Sequence, residues 1–357
     1  MSKVYLVAGN ANDDVRSVGT KIEALWNAAG LAKLFAPRDL VAVKIHVGEP
    51  GTKTFVPAGV VKHWVERVRA TGATPFLTDT AVLYKSPRAD AVGHMKVARD
   101  HGFTFELAGA EFFPADGLTG ADEIEVRLEG GNHFETVAIA SGIAHARSML
   151  VVSHATGHLA TGFGGALKNL GMGCCSRKGK LRQHSGQKPH VEAGACTACG
   201  TCAQWCPSDA IEVTDVAIIN SDKCIGCGEC IAACRDEAVQ FDWAVNGKEL
   251  QERIAEHAAA VVHSKPDRIG YVTVAQRITK DCDCMGLAQS SLLEDIGILA
   301  SCDPVAIDSA VMSLVQQRAG KGIEQLSGRR HDGTVQLIHA EKLGVGSRDF
   351  ELVPVNG

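Results

Sequence analysis

The chain has 357 residues, 45% of them hydrophobic and 22% charged, which is enough for a sizeable core and for more than one domain. Its formal net charge of −5 gives no footprint of the basic domain typical of nucleic-acid-binding proteins, and no apolar run reaches the roughly 18 residues of a membrane span. Because the N-terminal apolar run is too short for the core of a signal peptide, we expect a cytoplasmic protein with no membrane insertion and no nucleic-acid partner.

Short apolar strands alternate with amphipathic helices over the N-terminal part of the chain. The predicted strands are 4–7, 40–47 and 75–79, and the predicted helices are 17–35, 60–68 and 89–101. This alternation predicts an α/β fold with a mostly parallel layered sheet and flanking helices. Ligands of such sheets bind beyond the carboxyl ends of strands, where His46 and Asp79 follow two predicted strands. The alternatives for these residues are a turn histidine and a helix-capping aspartate.

A glycine-rich segment with histidine and basic side chains follows at 153–184. Gly164 and Gly165 precede a short predicted helix at 166–170, and such a loop lets an anion approach a helix N-terminus. The segment matches neither the P-loop nor the dinucleotide-binding fingerprint. It therefore suggests anion binding through the loop, with no motif to identify the ligand.

Polar groups in this segment are the candidates for chemistry. We predict Lys168 or His154 as proton donor, and Asn169 and Arg177, with the two glycines, as groups that hold an anionic small molecule or cofactor. His154 and His158 are spaced to share one face of a helix. The alternative for the basic run that begins at Arg177 is a solvated loop docked on an acidic module.

Eight of the 13 cysteines fall in two runs with identical spacing, C-x2-C-x2-C-x3-C. Three close thiolates on a tight loop wrap three corners of an iron–sulfur cube, and the fourth cysteine of each run ligates the other cluster. We therefore predict two [4Fe–4S] clusters. The predicted ligands are Cys196, Cys199, Cys202 and Cys234 for one cluster, and Cys224, Cys227, Cys230 and Cys206 for the other.

This segment resembles the two-cluster bacterial ferredoxins over residues 190–240. Zinc is one alternative occupant, but zinc sites use C-x2-C pairs rather than runs of three plus one. Purely structural clusters are another alternative, although two clusters in tandem suit the passage of electrons better.

The α/β pattern resumes after the cysteine-rich segment. The predicted elements are a helix at 248–263, strands at 269–274 and 295–300, and a helix that Asp303 caps. The cysteine module therefore interrupts one α/β domain, with Gly186–Pro189 as a linker. The predicted domains are residues 1–188 and 243–357 for the two parts of the α/β domain and residues 189–242 for an inserted α+β ferredoxin-like module.

The remaining cysteines include a compact pair. Cys282 and Cys284 alternate with two aspartates, and on an extended chain their thiols point the same way. Together with Cys174 they are candidate ligands of a third metal or cluster, for which iron and zinc are both suitable. The alternative is a set of ordinary reduced thiols near the wall of the site.

Three segments together resemble the family named domain of unknown function 362. They are G-F-G-G-A-L-K-N-L-G-M-G-C at 162–174, D-C-D-C at 281–284 and D-I-G-I-L-A-S-C-D-P-V-A-I-D at 295–308. The resemblance implies iron–sulfur cluster binding and a ferredoxin placed between the halves of an α/β domain, and it implies no particular reaction. The positions that match the family are Lys168, Asn169, Cys174, Cys282, Cys284, Asp303 and Asp308.

These features lead to an enzyme hypothesis, a ferredoxin-coupled oxidoreductase. A redox partner protein would supply low-potential electrons to the clusters, which would pass them to an anionic substrate or cofactor in the α/β domain. One alternative is a non-catalytic electron carrier or adaptor that docks a larger redox complex, and another is metal or cluster handling by the extra cysteines. A deep polar pocket around Lys168 favours the enzyme, and a closed surface favours the carrier. No recognised flavin motif is present.

Overall fold

The structure, a computed structural model, describes residues 1–185, 188–242 and 247–357. Part of the predicted linker, residues 186–187, and the predicted start of the second α/β part, residues 243–246, lie outside these ranges. The strands of the described ranges, β1 to β16 in chain order, are Ser2–Ala8, Leu40–Lys44, Thr74–Asp79, Phe112–Pro114, Glu123–Arg127, Thr136–Ala140, Ser148–His154, Thr156–His158, Gly162–Gly164, His190–Val191, Ile211–Val213, Ala217–Ile219, Val239–Gln240, Ile269–Ala275, Gly297–Ser301 and Phe350–Pro354.

Helices lie between most of these strands. The α-helices, α1 to α13 in chain order, are Val15–Ala28, Ala58–Ala70, Ala91–Asp100, Phe105–Ala108, Ser141–His145, Ala166–Gly171, Arg177–His184, Thr201–Gln204, Glu229–Ala233, Gly247–His263, Pro304–Ala319, Ile323–Leu326 and Val335–Lys342. In the described part of the chain, none of them combines the length and apolar character that crossing a bilayer requires.

An eight-stranded sheet forms the centre of the molecule, in the order β16-β1-β15-β14-β7-β2-β3-β4. Seven of its strands run in one direction, and β15 runs against both of its neighbours. Every residue of β14 is buried, as expected for a strand that is covered on both faces. The predicted α/β fold with a mostly parallel sheet is confirmed.

Two hydrophobic cores cover the two faces of this sheet. One contains buried side chains of α1 and α2, and the other contains those of α6, α10 and α11. The apolar stripe predicted for the second helix is confirmed, because Val61, Trp64, Val65 and Val68 of α2 are all fully buried. The predicted cap is also confirmed, since Asp303 Oδ1 accepts hydrogen bonds from the first backbone N–H groups of α11.

Strands from both sides of the cysteine-rich segment build the same sheet. Strand β14 pairs with β7, and β1 pairs with both β15 and β16. The segment itself contains two small antiparallel strand pairs, β10 with β13 and β11 with β12, together with the short helices α8 and α9. The domain boundaries at residues 188 and 242 stay predictions.

Helix α6 receives its N-terminal cap from another helix. The buried carboxylate of Asp308, on α11, accepts hydrogen bonds from Ala166 N at 2.7 Å and Leu167 N at 2.9 Å. A Cβ atom at Gly165 would lie 2.3 Å from Asp308 Oδ1, so the carboxylate occupies this position only because residue 165 is glycine. Asp308 therefore occupies this helix N-terminus in place of the predicted anion, while Gly164 and Gly165 line a large cavity, and their role in binding stays a prediction.

Replacing Asp308 by alanine should lower the free energy of unfolding by about 3 kcal/mol, because two buried N–H groups lose their acceptor. Urea unfolding under anaerobic conditions measures this loss. Asp308→Asn is the matched control, since its amide oxygen still accepts one of the two hydrogen bonds and the loss should be smaller. Equal stability of the alanine variant and the wild type would contradict the capping role.

Candidate functional site

The cysteine-rich segment contains two small cavities, each lined by three cysteines of one run and the fourth cysteine of the other. Their cysteine linings are Cys196, Cys199, Cys202 and Cys234 for the first cavity and Cys224, Cys227, Cys230 and Cys206 for the second. Chain folding therefore brings the last cysteine of each run to the other run. Such groups of four thiols indicate metal or cluster binding.

The chain segments around the two cavities match in backbone conformation and in hydrogen bonds to sulfur. Left-handed φ angles occur at 76° for Gly200 and 75° for Gly228, which stand at corresponding positions of the two loops. Ala210 N donates to Cys206 Sγ, and Ala238 N donates to Cys234 Sγ, both at 3.2 Å. Backbone donors of this kind stabilise negative charge on sulfur, so the residues present fit an anionic iron–sulfur group.

A much larger cavity, of about 1060 Å³, lies at the carboxyl ends of β2, β3 and β7. The part of the chain before the cysteine-rich segment contributes Lys44, Asp79 and Lys168 to its lining, and the part after contributes Cys282 and Cys284. Both halves therefore build one site. Its position is the one at which parallel sheets bind ligands.

A buried ion network forms the floor of this cavity. Lys44 Nζ lies 2.9 Å from Asp79 Oδ1, and Arg88 contacts Asp79 Oδ2 at 3.2 Å and Glu49 Oε2 at 3.1 Å. Against the opposing effect of burial, Lys44 and Arg88 hold the pKa of Asp79 well below its usual range. Asp79 is therefore a paired carboxylate rather than a helix cap. Neither Lys44 nor Arg88 was among the predicted site residues, although a lysine at the end of an apolar strand is a usable signal.

His46 lines the cavity as a neutral imidazole. Burial, and then the charge of Arg88, lowers the pKa of His46 to about 3. Gly48 N donates to its Nδ1 atom at 3.0 Å, which leaves the ring proton on Nε2. In that state Nε2 is a hydrogen-bond donor.

His154 is held too firmly to act as the predicted proton donor. Its Nδ1 atom lies 2.8 Å from Asp283 Oδ2, and its Nε2 atom lies 2.9 Å from the carbonyl oxygen of Gln276. Although burial opposes it, the carboxylate of Asp283 raises the pKa of His154. Both ring protons are therefore committed to acceptors. The expected helical face shared with His158 is also wrong, because the two histidines lie in strands β7 and β8.

Of the two predicted ligand-holding residues, Asn169 lines the large cavity with its amide bonded to protein groups, whereas Arg177 does not line it. Asn169 Oδ1 accepts from Lys44 Nζ at 2.6 Å, and its amide nitrogen donates to Val152 O and Ser153 Oγ. Arg177 begins helix α7 and donates to a backbone carbonyl, with its aliphatic part against Gly228 of the second cysteine cavity. The basic run is thus a largely buried helix and not a solvated loop.

The ammonium group of Lys168 reaches the cavity. Within the part of the chain that the structure describes, no carboxylate forms an ion pair with it. Its Nζ atom lies 3.6 Å from Cys282 Sγ. Burial, together with the charges of Lys44 and Arg88, lowers the pKa of Lys168 to about 8, against the opposing effect of Asp283. An amine with this pKa can release and regain a proton near neutral pH.

The predicted third metal site has a different composition in the structure. Ligand atoms of His158, Cys282 and Cys284 lie within 4.8 Å of one another, whereas Cys174 is fully buried and does not line the cavity. His158 Nδ1 accepts two backbone N–H groups, from Ala160 and Thr161, so the neutral ring carries its proton on Nε2. Cys282 and Cys284 are joined as a disulfide. Neither the protonated Nε2 atom of His158 nor the disulfide sulfurs offer a lone pair suited to a metal.

The second cysteine cavity lies beside the large cavity. A Cβ atom at Gly228, in the wall of the cysteine cavity, would lie 3.6 Å from Leu83 Cδ1, and Leu83 lines the large cavity. The next residue, Tyr84, places its hydroxyl 3.2 Å from the carbonyl oxygen of Cys284. The two cavities are therefore separated by about one side chain.

Comparison with known proteins identifies a family but no activity. The profile of a family described as "Domain of unknown function (DUF362)" matches residues 41–313, which is more than half of the chain. No curated protein matches.

Two solved structures share low similarity with the chain. The lactate racemase apoprotein from Thermoanaerobacterium thermosaccharolyticum is 10% identical, with a TM-score of 0.37, and the match covers 77% of this chain and 50% of that one. A protein from Thermotoga maritima is also 10% identical, with a TM-score of 0.43 and coverages of 87% and 60%. The chain thus spans half the length of the first protein and 60% of the length of the second.

Proposed function

Since the chain belongs to the DUF362 family, whose members have no assigned activity in that description, we propose from its own residues that it is an iron–sulfur redox protein. It carries two [4Fe–4S] clusters in the cysteine-rich segment and passes low-potential electrons to a molecule bound in the large cavity. When bound, the clusters supply one-electron transfer. The observation that carries the proposal is that the second cysteine cavity and the large cavity are neighbours, since Gly228 lines the first and the adjacent Leu83 lines the second.

The charge of the large cavity supports an anionic acceptor. Asp79 and Glu49 balance Lys44 and Arg88, so these four groups add little net charge. Lys168 and Lys180 line the same cavity, and neither forms an ion pair among the described residues. A molecule with a carboxylate or phosphate group would be attracted to these two ammonium groups.

Lys168 is the residue that we propose as proton donor. Its ammonium group faces the cavity, and its lowered pKa lets it give up a proton during a reduction near neutral pH. His46 would add a hydrogen bond from Nε2 to the same molecule. His154 has a supporting role, because its bond to Asp283 fixes the loop that carries Cys282 and Cys284.

Exposed apolar side chains near the second cysteine cavity support docking of a redox partner protein. Ile225 lines that cavity and is 53% exposed, and Trp205, directly before Cys206, is 44% exposed. Apolar side chains at such positions are typical of transient protein interfaces. We propose that the electron donor binds there, so that its own cofactor approaches the cluster nearest the large cavity.

Anaerobically purified protein should contain about eight iron and about eight sulfide atoms per chain. After chemical reduction, a suitable anionic acceptor should reoxidise the clusters, and Lys168→Ala should slow this step roughly 100-fold, because the proton donor is lost. Stopped-flow absorbance measures the rate. Lys53→Ala, which removes an exposed lysine outside the cavity lining, is the control.

Two outcomes would contradict the proposal separately. Protein without iron and sulfide would overturn the redox function itself. Equal reoxidation rates in Lys168→Ala, Lys53→Ala and wild type would reject the role of Lys168 and favour a carrier that does no chemistry in the cavity.

A further inference from the structure

We propose that Cys282 and Cys284 form a redox-active disulfide and dithiol couple inside the large cavity. The couple accepts electrons that leave the cysteine-rich segment and holds them as a pair for the bound molecule. This inference rests on the proposed function, because it needs a one-electron donor beside the cavity. It assigns to these two cysteines the collection of two electrons, in place of metal binding.

The fold holds both sulfur atoms at the cavity. Cys282 and Cys284 line it, and their Sγ atoms are bonded to each other. The residue between them, Asp283, also lines the cavity and is anchored by its side chain. Its carboxylate contacts His154 and the hydroxyl of Thr54, both at 2.8 Å.

The backbone of Asp283 is anchored as well. Its carbonyl oxygen accepts Glu49 N at 2.9 Å and Thr52 Oγ1 at 3.1 Å. With the middle residue held by four contacts, the flanking sulfurs stay close to each other in either redox state. A pair that is held together in this way can open and close without movement of the surrounding chain.

A cation stands beside one of the two sulfurs. Lys168 Nζ lies 3.6 Å from Cys282 Sγ, and the backbone N–H of Cys284 points to the same sulfur at 3.4 Å. Both groups stabilise negative charge on Cys282 when the S–S bond breaks. The same cation disfavours a divalent metal at this place, because two positive charges would approach the same thiolate.

A short route links the couple to the cysteine-rich segment. It runs from Gly228, in the wall of the second cysteine cavity, to the neighbouring Leu83, whose Cδ1 atom would lie 3.6 Å from a Cβ atom at residue 228. It continues through the peptide bond to Tyr84, whose hydroxyl donates to the carbonyl oxygen of Cys284. No other chain segment has to move to complete the route.

The reduction balances with a donor of one electron at a time. A low-potential donor, such as a reduced ferredoxin or flavodoxin, supplies two electrons in two steps, and the S–S bond between Cys282 and Cys284 breaks. One proton passes from Lys168 to Cys282, and a second passes from water to Cys284. The products are two thiols, and Lys168 regains its proton from solvent.

The test is an anaerobic reductive titration of the cluster-loaded, oxidised full chain with titanium(III) citrate. Wild type should take up about two more electrons per chain than Cys284→Ser, because the variant lacks the two-electron couple. Cys302→Ser removes an exposed cysteine and should match the wild type. Cluster absorbance, recorded during the titration, shows that each variant is folded and loaded.

Thiol trapping gives a second readout that needs no variant. Samples are quenched with N-ethylmaleimide in denaturant, and the peptide with Cys282 and Cys284 is weighed by mass spectrometry. Both cysteines should be labelled only after reduction. Labelling in the oxidised protein, or labelling that requires a chelator, would overturn the inference in favour of free thiols or a bound metal.

Different experimental results would overturn the inference and the proposed function. Clusters that bleach normally while wild type and Cys284→Ser take up equal numbers of electrons would overturn the inference alone. Absence of cluster absorbance would overturn the proposed function, and the inferred electron route would fail with it.

Discussion

Replacement of Cys234 by alanine is expected to remove the cluster held by the first cysteine run, although Cys234 belongs to the second. The reason is that Cys234 lines the cavity of Cys196, Cys199 and Cys202. Loss of one thiolate leaves a cluster with an open corner, which is prone to fall apart. The iron content should therefore drop from about eight to about four atoms per chain. Anaerobic iron and sulfide analysis of the purified variant measures this change.

Double variants test the exchange of ligands between the runs. Cys234→Ala with Cys196→Ala damages one proposed cluster twice and should still leave about four iron atoms. Cys234→Ala with Cys224→Ala damages both clusters and should leave almost none. If each run instead ligated its own cluster, the two results would be reversed. Cys302→Ala is the single-variant control and should keep all the iron.

Replacement of Asp79 by asparagine is expected to lower the free energy of unfolding by about 3–5 kcal/mol. Asparagine keeps the shape of the side chain but removes the charge that balances Lys44 and Arg88, both of which are buried. Arg88 would keep Glu49 as its partner, but Lys44 would remain as an uncompensated buried cation in the floor of the cavity. Because the folded-state pKa of Asp79 lies below its ordinary value of 3.8, its contribution is present above that pH and is lost as the pH falls further.

Urea unfolding of the cluster-loaded protein measures the effect of Asp79→Asn. The matched control is Asp100→Asn, which breaks an ion pair with Lys96 on the surface of α3 and should leave stability unchanged within error. A similar, small change in both variants would show that the buried network does not stabilise the fold. A large loss of stability with unchanged iron content would show that the buried ion network stabilises the fold without being needed for cluster binding.

Local patterns in the sequence predicted most of the elements that build the sheet. The apolar spacing of Val61, Trp64 and Val68 predicted the buried face of α2, and Asp303 before Pro304 predicted the start of α11. Strand β2 ends at Lys44, before the predicted end at residue 47, because the chain turns there to bring Val47 N to the Asp79 carboxylate. Boundaries of this kind depend on contacts with distant residues.

The sequence alone therefore determined the elements, the α/β class and the three-plus-one spacing of the cysteines, since each depends on residues a few positions apart. Only the tertiary structure decided that Asp308 fills the N-terminus of α6, that both ring nitrogens of His154 are engaged, and that Arg177 lies outside the large cavity. These contacts join residues more than 80 positions apart in the chain. No local periodicity encodes such pairs, because folding alone brings the groups close enough to compete for the same hydrogen bonds and charges.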